Sequence, residues 1–480
     1  MSKTNNKWLS LAILLSAPLL SVIDVFIINV AIPSIRKGVH ASDAAAQLVI
    51  AGYLLGYAVF LITGGRAGDI LGRKKMFITG MLSFTVMSCL CGLSSTPGLL
   101  CLARFFQGVT AAFMVPQTIS YIQILFTSAE ERAKAVGFFG VTLGLASIIG
   151  QSLGGWLSGI QGWIQGWRLI FFINLPIGIL ASWAAARYLS ETPFNKKQKF
   201  DYIGVLLLTL ALTALIYPII QGREAGWPWW STVAIAGSVF LLRAFIIHQD
   251  RKRQRGGDPL IHTDLFIYRD FNLALAAVLF FFMAHSSYLL TCTVYFQEGL
   301  GMRSVTAGQL FVFMGAGFML SSLLAVRLVT RYGKIVLLYG ILLIVAGLTL
   351  QSIFFNTAHL QWPMMVLLLT VHGFGSGIVM PSLLNVALKS IPLHFAGAAS
   401  GVYGTFQQTA SALGVSIIGG IFYFFAETQR HEPSLAAIYY GAFKYSVVVQ
   451  IGCYGLVGVF LCFIPDWKRV MLSQPAILVE

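Results

Sequence analysis

The chain is poor in charge. Only 10% of its 480 residues are Asp, Glu, Lys or Arg, and 17 are acidic. A soluble globular domain carries about 25% charged residues. The shortage excludes an ordinary soluble fold and leaves little room for a soluble domain. Cysteine is scarce too. Cys89, Cys91, Cys101, Cys292, Cys453 and Cys462 lie in or beside apolar segments without zinc-ligand spacing, and they read as inert buried thiols. No nucleophile–base pair, metal-ligand cluster or phosphate loop stands out, which argues against an enzyme. No metal or cofactor is implied.

What the chain has in quantity is hydrocarbon: 57% of residues are hydrophobic and the mean hydropathy is +0.80. A spanning helix needs about 20 apolar residues. Fourteen stretches qualify, near 8–32, 47–66, 76–95, 98–122, 136–159, 168–189, 203–221, 231–249, 272–296, 305–327, 335–355, 362–386, 397–425 and 444–464. The fold class is therefore an all-α polytopic membrane protein. The first run is long enough to span, so it reads as a retained helix rather than a cleaved signal. A net charge of +15 would suggest nucleic acid in a soluble chain. Here the basic residues crowd alternate loops, at Lys3, Lys7, Arg66, Arg73, Lys74, Lys75, Arg132, Lys134, Lys196, Lys197, Lys199, Arg251, Lys252, Arg253, Arg255, Lys468 and Arg469. That bias places these loops and both termini in the cytoplasm and implies a lipid bilayer, not nucleic acid, as partner.

The sequence repeats at an offset of 261–265 residues. Met114-Val115-Pro116 meets Val379-Met380-Pro381, Gly154-Gly155 meets Gly419-Gly420, and Gly72-Arg73 meets Gly333-Lys334. Spans one to six thus pair with spans nine to fourteen. The expected organisation is a six-helix bundle over 8–189, a two-helix insert over 203–250, a cytoplasmic linker over 251–271 and a second six-helix bundle over 272–464. Paired bundles of this kind suit a transporter that rocks about a central site.

Asp24 stands out against this background. It lies within the apolar run from Trp8 to Pro33. A carboxylate at bilayer depth costs at least ~2.5 kcal/mol on insertion scales and marks a functional site. Arg104 reads as the only clear cation at membrane depth. It needs a partner or a wet cavity, and a structural ion pair with Asp24 is one reading. His285 lies 261 residues after Asp24, opposite it in the repeat. It is either a second proton site or a hydrogen-bonded helix histidine. Asn29, Gln117, Asn385, Gln407 and Gln408 are candidates to line a cavity.

Several motifs carry a resemblance. The loop Gly65-Arg66-Ala67-Gly68-Asp69-Ile70-Leu71-Gly72-Arg73-Lys74-Lys75 resembles the signature loop of the major facilitator superfamily. Ala67 and Ile70 depart from its usual leucine and basic residue. Asp24-Val-Phe-Ile-Ile-Asn29-Val-Ala-Ile-Pro33, Arg104-Phe-Phe-Gln107-Gly108, Trp167-Arg168-Leu-Ile-Phe-Phe-Ile-Asn174-Leu-Pro176 and Phe200-Asp201-Tyr-Ile-Gly204 resemble its fourteen-span drug:proton antiporter branch. Span five, with Gly140, Gly144, Gly150, Gly154 and Gly155, is similar to the antiporter motif, but Gln151 stands where proline is usual. That departure puts a helix kink there in doubt.

The resemblance implies the major facilitator fold, with Gly65, Asp69, Gly72 and Arg73 as a conformational-switch loop. It implies a proton relay through Asp24 and Arg104, with His285 as a further candidate. It also implies a functional monomer that exports lipophilic or amphipathic small molecules across the inner membrane, with the proton as coupling ion. A periplasmic adaptor is expected only if the source cell has two membranes. A proton symporter importing a nutrient is the alternative. With one membrane carboxylate, the simplest cycle carries one proton.

Overall fold

The computed structural model describes residues 7–192, 200–356, 361–392, 395–429 and 434–465. Lys3, Lys196, Lys197, Lys199, Lys468 and Arg469 from the charge pattern lie outside these. Among the described residues the regular structure is helical throughout. The helices are α1 (Lys7–Gly38), α2 (Asp43–Leu71), α3 (Arg73–Leu93), α4 (Pro97–Leu125), α5 (Ala129–Ser158), α6 (Gly166–Phe172), α7 (Asn174–Tyr188), α8 (Tyr202–Glu224), α9 (Trp229–Gln254), α10 (Arg269–Val294), α11 (Ser304–Tyr332), α12 (Lys334–Phe354), α13 (Trp362–Leu388), α14 (Ala396–Thr428) and α15 (Leu435–Phe463). Among the described residues fourteen spans are long and apolar enough to cross a membrane, with α6 and α7 together forming one, Gly166–Tyr188.

Local chemistry sets the helix ends. Ser42, Thr96, Ser128 and Ser434 each accept a backbone N–H three residues on, at the starts of α2, α4, α5 and α15. Gly72 (φ +98°) breaks α2 from α3, and Gly333 (φ +67°) breaks α11 from α12 at the matching place in the repeat. Only glycine adopts such backbone without strain.

Two details differ from the sequence reading. The basic run Arg251-Lys252-Arg253 is the last turn of α9, not linker, and a 3-10 turn (Thr263–Ile267) follows it. The α-helical dipole favours cations at a C-terminal end, which explains why the helix runs on through them. A π-helical turn, Tyr295–Gly299, continues α10.

Helices α1–α7 pack as one bundle and α10–α15 as another. The bundles meet where α5 faces α11 and α2 faces α14, and α8 and α9 pair with each other beside α2 and α14. The repeat is visible in atomic contacts. A Cβ on Gly108 would strike the Tyr53 carbonyl at 2.0 Å, and one on Gly373 would strike the Met314 carbonyl at 1.9 Å. Gly150 lies against the Ile23 carbonyl of α1, as Gly414 lies against the Met283 carbonyl of α10. The helix pairs of the two bundles therefore share one packing register, offset by 260–265 residues.

Candidate functional site

Asp24 sits halfway along α1 and is wholly buried. Arg104 of α4, 1% exposed, places Nη1 2.5 Å from Asp24 Oδ2. Gln107, one turn on, donates from Nε2 to Asp24 Oδ1 at 2.8 Å, and its Oε1 accepts from Arg104 Nη1 at 2.7 Å. Asn174, at the start of α7, donates to Oδ1 at 3.4 Å and to Ser88 Oγ at 2.9 Å. Arg104 Nε donates to the Val49 carbonyl at 3.1 Å, and the Tyr53 ring covers the guanidinium at 4.4 Å. Helices α4 and α7 thus converge on the α1 carboxylate, with α2 and α3 holding their side chains in place.

The recorded contacts to Asp24 are all with hydrogen-bond donors. Protonation would cost the contact to Arg104. The arginine would keep the Val49 carbonyl, Gln107 Oε1 and the Tyr53 face, so it would not be stranded.

The sequence reading joined Asp24 to Arg104 but missed Gln107 and Asn174 as partners. The signal was available. Gln107 is three residues from Arg104, on the same helix face. Asn174 is a buried amide in an apolar run, and such groups need partners.

The loop between α2 and α3 is organised as its charges suggest. Arg73 donates to Asp69 Oδ1 at 2.6 Å. Gly68 lies against the Gln117 amide, and a Cβ on Gly65 would come within 3.8 Å of Pro116, both partners on α4. Arg66 donates to the carbonyls of Asp258 and Pro259, which ties α2 to the segment after α9.

At the opposite end of the molecule the bundles are pinned together. Arg36 pairs with Asp43 and, at 2.7 Å, with Glu298. Tyr439 donates to the same Glu298 oxygen at 2.8 Å, and Gln297 donates to the Val30 carbonyl at 2.7 Å. This end is closed.

The sequence profile of the Major Facilitator Superfamily matches residues 14–415. The chain belongs to the major facilitator superfamily. It is 35% identical over 426 residues to the "Probable actinorhodin transporter" of Streptomyces coelicolor, covering 87% of this chain and 72% of that protein. It is 31% identical to "Puromycin resistance protein pur8" of Streptomyces alboniger, over 86% and 82% of the two chains. A bacterial homologue of the lysosomal transporter Spinster, solved in an inward-facing conformation, superposes with TM-score 0.68 at 16% identity, over 99% of this chain and 100% of that one. The protein is a transporter on the major facilitator fold, not an enzyme.

Within that fold the span-five glycines divide by face. Gly150 and Gly154 pack on α1, where an added Cβ would meet the Ile23 carbonyl at 2.9 Å and the Ile27 carbonyl at 2.7 Å. A Cβ on Gly155 would meet the Ser304 carbonyl of α11 at 2.6 Å, and one on Gly144 would meet Met319 at 3.3 Å, so these two lie between the bundles. Gly140 is a correction to the interface motif: nothing lies within 4 Å of a Cβ placed there. Along α5 the glycines that meet α11 are Gly144, at the middle of the helix, and Gly155, near its C-terminal end. Despite Gln151, α5 runs as one helix, because glutamine, unlike proline, keeps the backbone N–H.

The proposed cavity residues do not form one set. Asn29 donates back to the Val25 carbonyl in its own helix. Gln117 donates to Gly64 and Phe113 carbonyls, so it clamps α4 to α2 rather than facing open space. Asn385 is exposed, while Gln407 and Gln408 are half-buried on α14. His285 is buried in the C-terminal bundle and stacks on Phe281 and His372; no contact with Asp24 is recorded. The cysteines also need correction. Cys91 and Cys292 are buried, but Cys462 is exposed on the outer face of α15. Arg104 is not the sole cation at depth either, since Arg243 lies exposed midway along α9.

Outside the spans, Asp201 precedes α8 and accepts from His248 (2.9 Å), Gln249 (2.8 Å), Lys252 (3.0 Å) and the Gly204 N–H (3.1 Å). Burial pushes its carboxyl up, but these donors outweigh that and hold it well below the usual carboxylate range. Asp201 staples α8 to the end of α9.

Proposed function

We propose that this chain exports lipophilic or amphipathic compounds across the cytoplasmic membrane in exchange for protons, by alternating access. The observation that carries the reading is the fully buried Asp24, held by Arg104 and Gln107 in an otherwise apolar bundle. A buried acid with a guanidinium that has fallback partners is suited to load and release a proton between two conformations. The resistance proteins among its relatives support a toxic organic compound as cargo. The basic loops support the signature-loop side as cytoplasmic. On that orientation the pinned end faces outward.

In this cycle, substrate would enter from the cytoplasmic side while Asp24 gives up its proton. Opening the far end would require breaking the Arg36–Glu298 contact and separating α5 from α11. A ligand drives such a change only through its differential affinity for the two states. Asp24 supplies that difference for the proton, and an apolar surface between bundles would supply it for the cargo.

The test uses everted vesicles with a respiration-generated pH gradient, comparing wild type with Asp24→Asn. Cationic and neutral lipophilic compounds are added in turn. Collapse of the gradient in wild type, absent in Asp24→Asn, supports proton exchange through Asp24. Equal collapse in both would remove Asp24 from the relay. A pH change of opposite sign would indicate symport.

A further inference from the structure

The C-terminal bundle holds a buried polar column that the Asp24 relay does not use. Four rings follow one another in near-parallel order. Phe281 stacks on His285 (centroids 5.9 Å, planes 11° apart), His285 on His372 (6.5 Å, 11°), and His372 on Tyr288 (4.0 Å, 20°). Tyr454 of α15 meets His372 edge-on at 6.4 Å. Nδ1 of His285 and both ring nitrogens of His372 are buried without a hydrogen-bond partner. Buried polar atoms are nearly always satisfied, so three orphaned imidazole nitrogens at one place require an explanation.

The repeat supplies one. His285 lies 261 residues after Asp24 and His372 lies 265 after Gln107, within a residue of the offsets that relate α1 to α10 and α4 to α13. The two histidines therefore occupy the places that Asp24 and Gln107 hold in the N-terminal bundle. At Arg104's place stands Leu369. A carboxylate there would have no guanidinium partner. An imidazole can sit neutral without one, and aromatic faces on either side of the pair attract it when it is charged.

We propose that His285 and His372 form a second protonation site in the C-terminal bundle, taking up one proton between them. A lone pair on either ring accepts the proton and becomes N–H. Two charged rings 6.5 Å apart would repel, which limits the pair to one. The titratable neighbours are Tyr288 and Cys292 on α10 and Tyr454 on α15, while α12 contributes Gln351, bonded to the Tyr288 hydroxyl at 2.9 Å. From α11, the Met314 carbonyl approaches Gly373, next to His372; from α14, Gly414 approaches Met283. Among the described residues no ion pair or hydrogen bond to either imidazole is present. The proposal rests on the proton-coupled reading for its role in transport, and it implies more than one proton site per cycle.

The test needs no substrate. The full chain, with 15N in its histidine rings, is placed in lipid nanodiscs and titrated by NMR from about pH 8 down to about pH 4, because burial disfavours the charged ring. Two of its eight histidines should move together from neutral to charged character, with a combined uptake of one proton. His285→Gln and His372→Gln should each remove one of those signals and leave the other titrating alone. Phe281→Leu keeps both histidines but removes one aromatic face, and should lower the midpoint of this pair only, so the proposal stays testable if a histidine variant fails to fold. Asp24→Asn should leave the curve in place, which separates this site from the relay. Rings that stay in one state across the range, or a curve lost in Asp24→Asn, would overturn the proposal.

Discussion

The buried pair should show strong coupling between Asp24 and Arg104. Replacing Arg104 with Gln leaves Asp24 in the core with only the Gln107 and Asn174 amides as recorded donors. Two unit charges about 4 Å apart attract by about 4 kcal/mol at an effective dielectric near 20. Removing one partner of a buried pair costs about 3–5 kcal/mol, because the other charge stays buried and unpaired. Asp24→Asn alone should cost less than Arg104→Gln. The guanidinium keeps the Val49 carbonyl, Gln107 Oε1 and the Tyr53 ring. The double variant Asp24→Asn/Arg104→Gln removes both charges, and its stability should recover to within about 1–2 kcal/mol of wild type. The assay is thermal unfolding of purified protein in one detergent, run as a double-mutant cycle, beside substrate-induced proton flux in vesicles. Recovered stability with flux still absent separates the pair's transport role from its structural one. Additive losses would refute the coupling. Flux retained in the double variant would refute the relay.

Three further predictions follow from single contacts. Gly155→Val should cut transport at least tenfold while Gly140→Ala leaves it unchanged, because a Cβ at 155 meets the Ser304 carbonyl at 2.6 Å and one at 140 meets nothing within 4 Å; parallel vesicle assays decide. Glu298→Gln should loosen the pinned end by about 1 kcal/mol, a roughly fivefold gain in its open population, read as faster thiol labelling of a Ser304→Cys reporter. Asp201→Asn should lower thermal stability at neutral pH. The folded carboxyl is held below its ordinary range, so its contribution is full above the unfolded value of about 3.9 and fades as pH falls toward the folded one. The gap between wild type and Asp201→Asn should therefore persist down to about pH 4 and narrow below it; a gap that widened in acid would refute the assignment.

Much of this was legible in the sequence. Hydrophobic run length gives the spans, because a bilayer imposes one length on every helix that crosses it. Asp24 and Arg104 were visible because charge at depth is costly enough to be rare. Gln107 and Asn174 were harder to see, since neutral amides are tolerated in many settings and only their partners reveal a role. The glycine motif showed the same limit. Spacing predicts which glycines share a helix face, but not whether that face meets α1, α11 or open space. Gln117 looked like a cavity residue until its two carbonyl partners placed it in a clamp.

The deeper asymmetry is between the bundles. Both keep the same glycine contacts and the same register, yet the chemistry placed in that register differs. The N-terminal bundle holds a permanent cation and an acid, so one of its states must carry an uncompensated charge or a broken contact. The C-terminal bundle puts leucine where Arg104 stands and imidazole where Asp24 stands, so it carries no permanent charge at those two places. A neutral histidine pair could respond to protons without opposing the rocking motion electrostatically in its unprotonated form. The prediction that separates the bundles is directional. Asp24→Asn should abolish pH-gradient-driven export at every pH. His285→Gln should leave export intact at alkaline pH and weaken it on the acid side, where the pair would be charged. Export unaffected across the whole profile in His285→Gln would confine the column to packing.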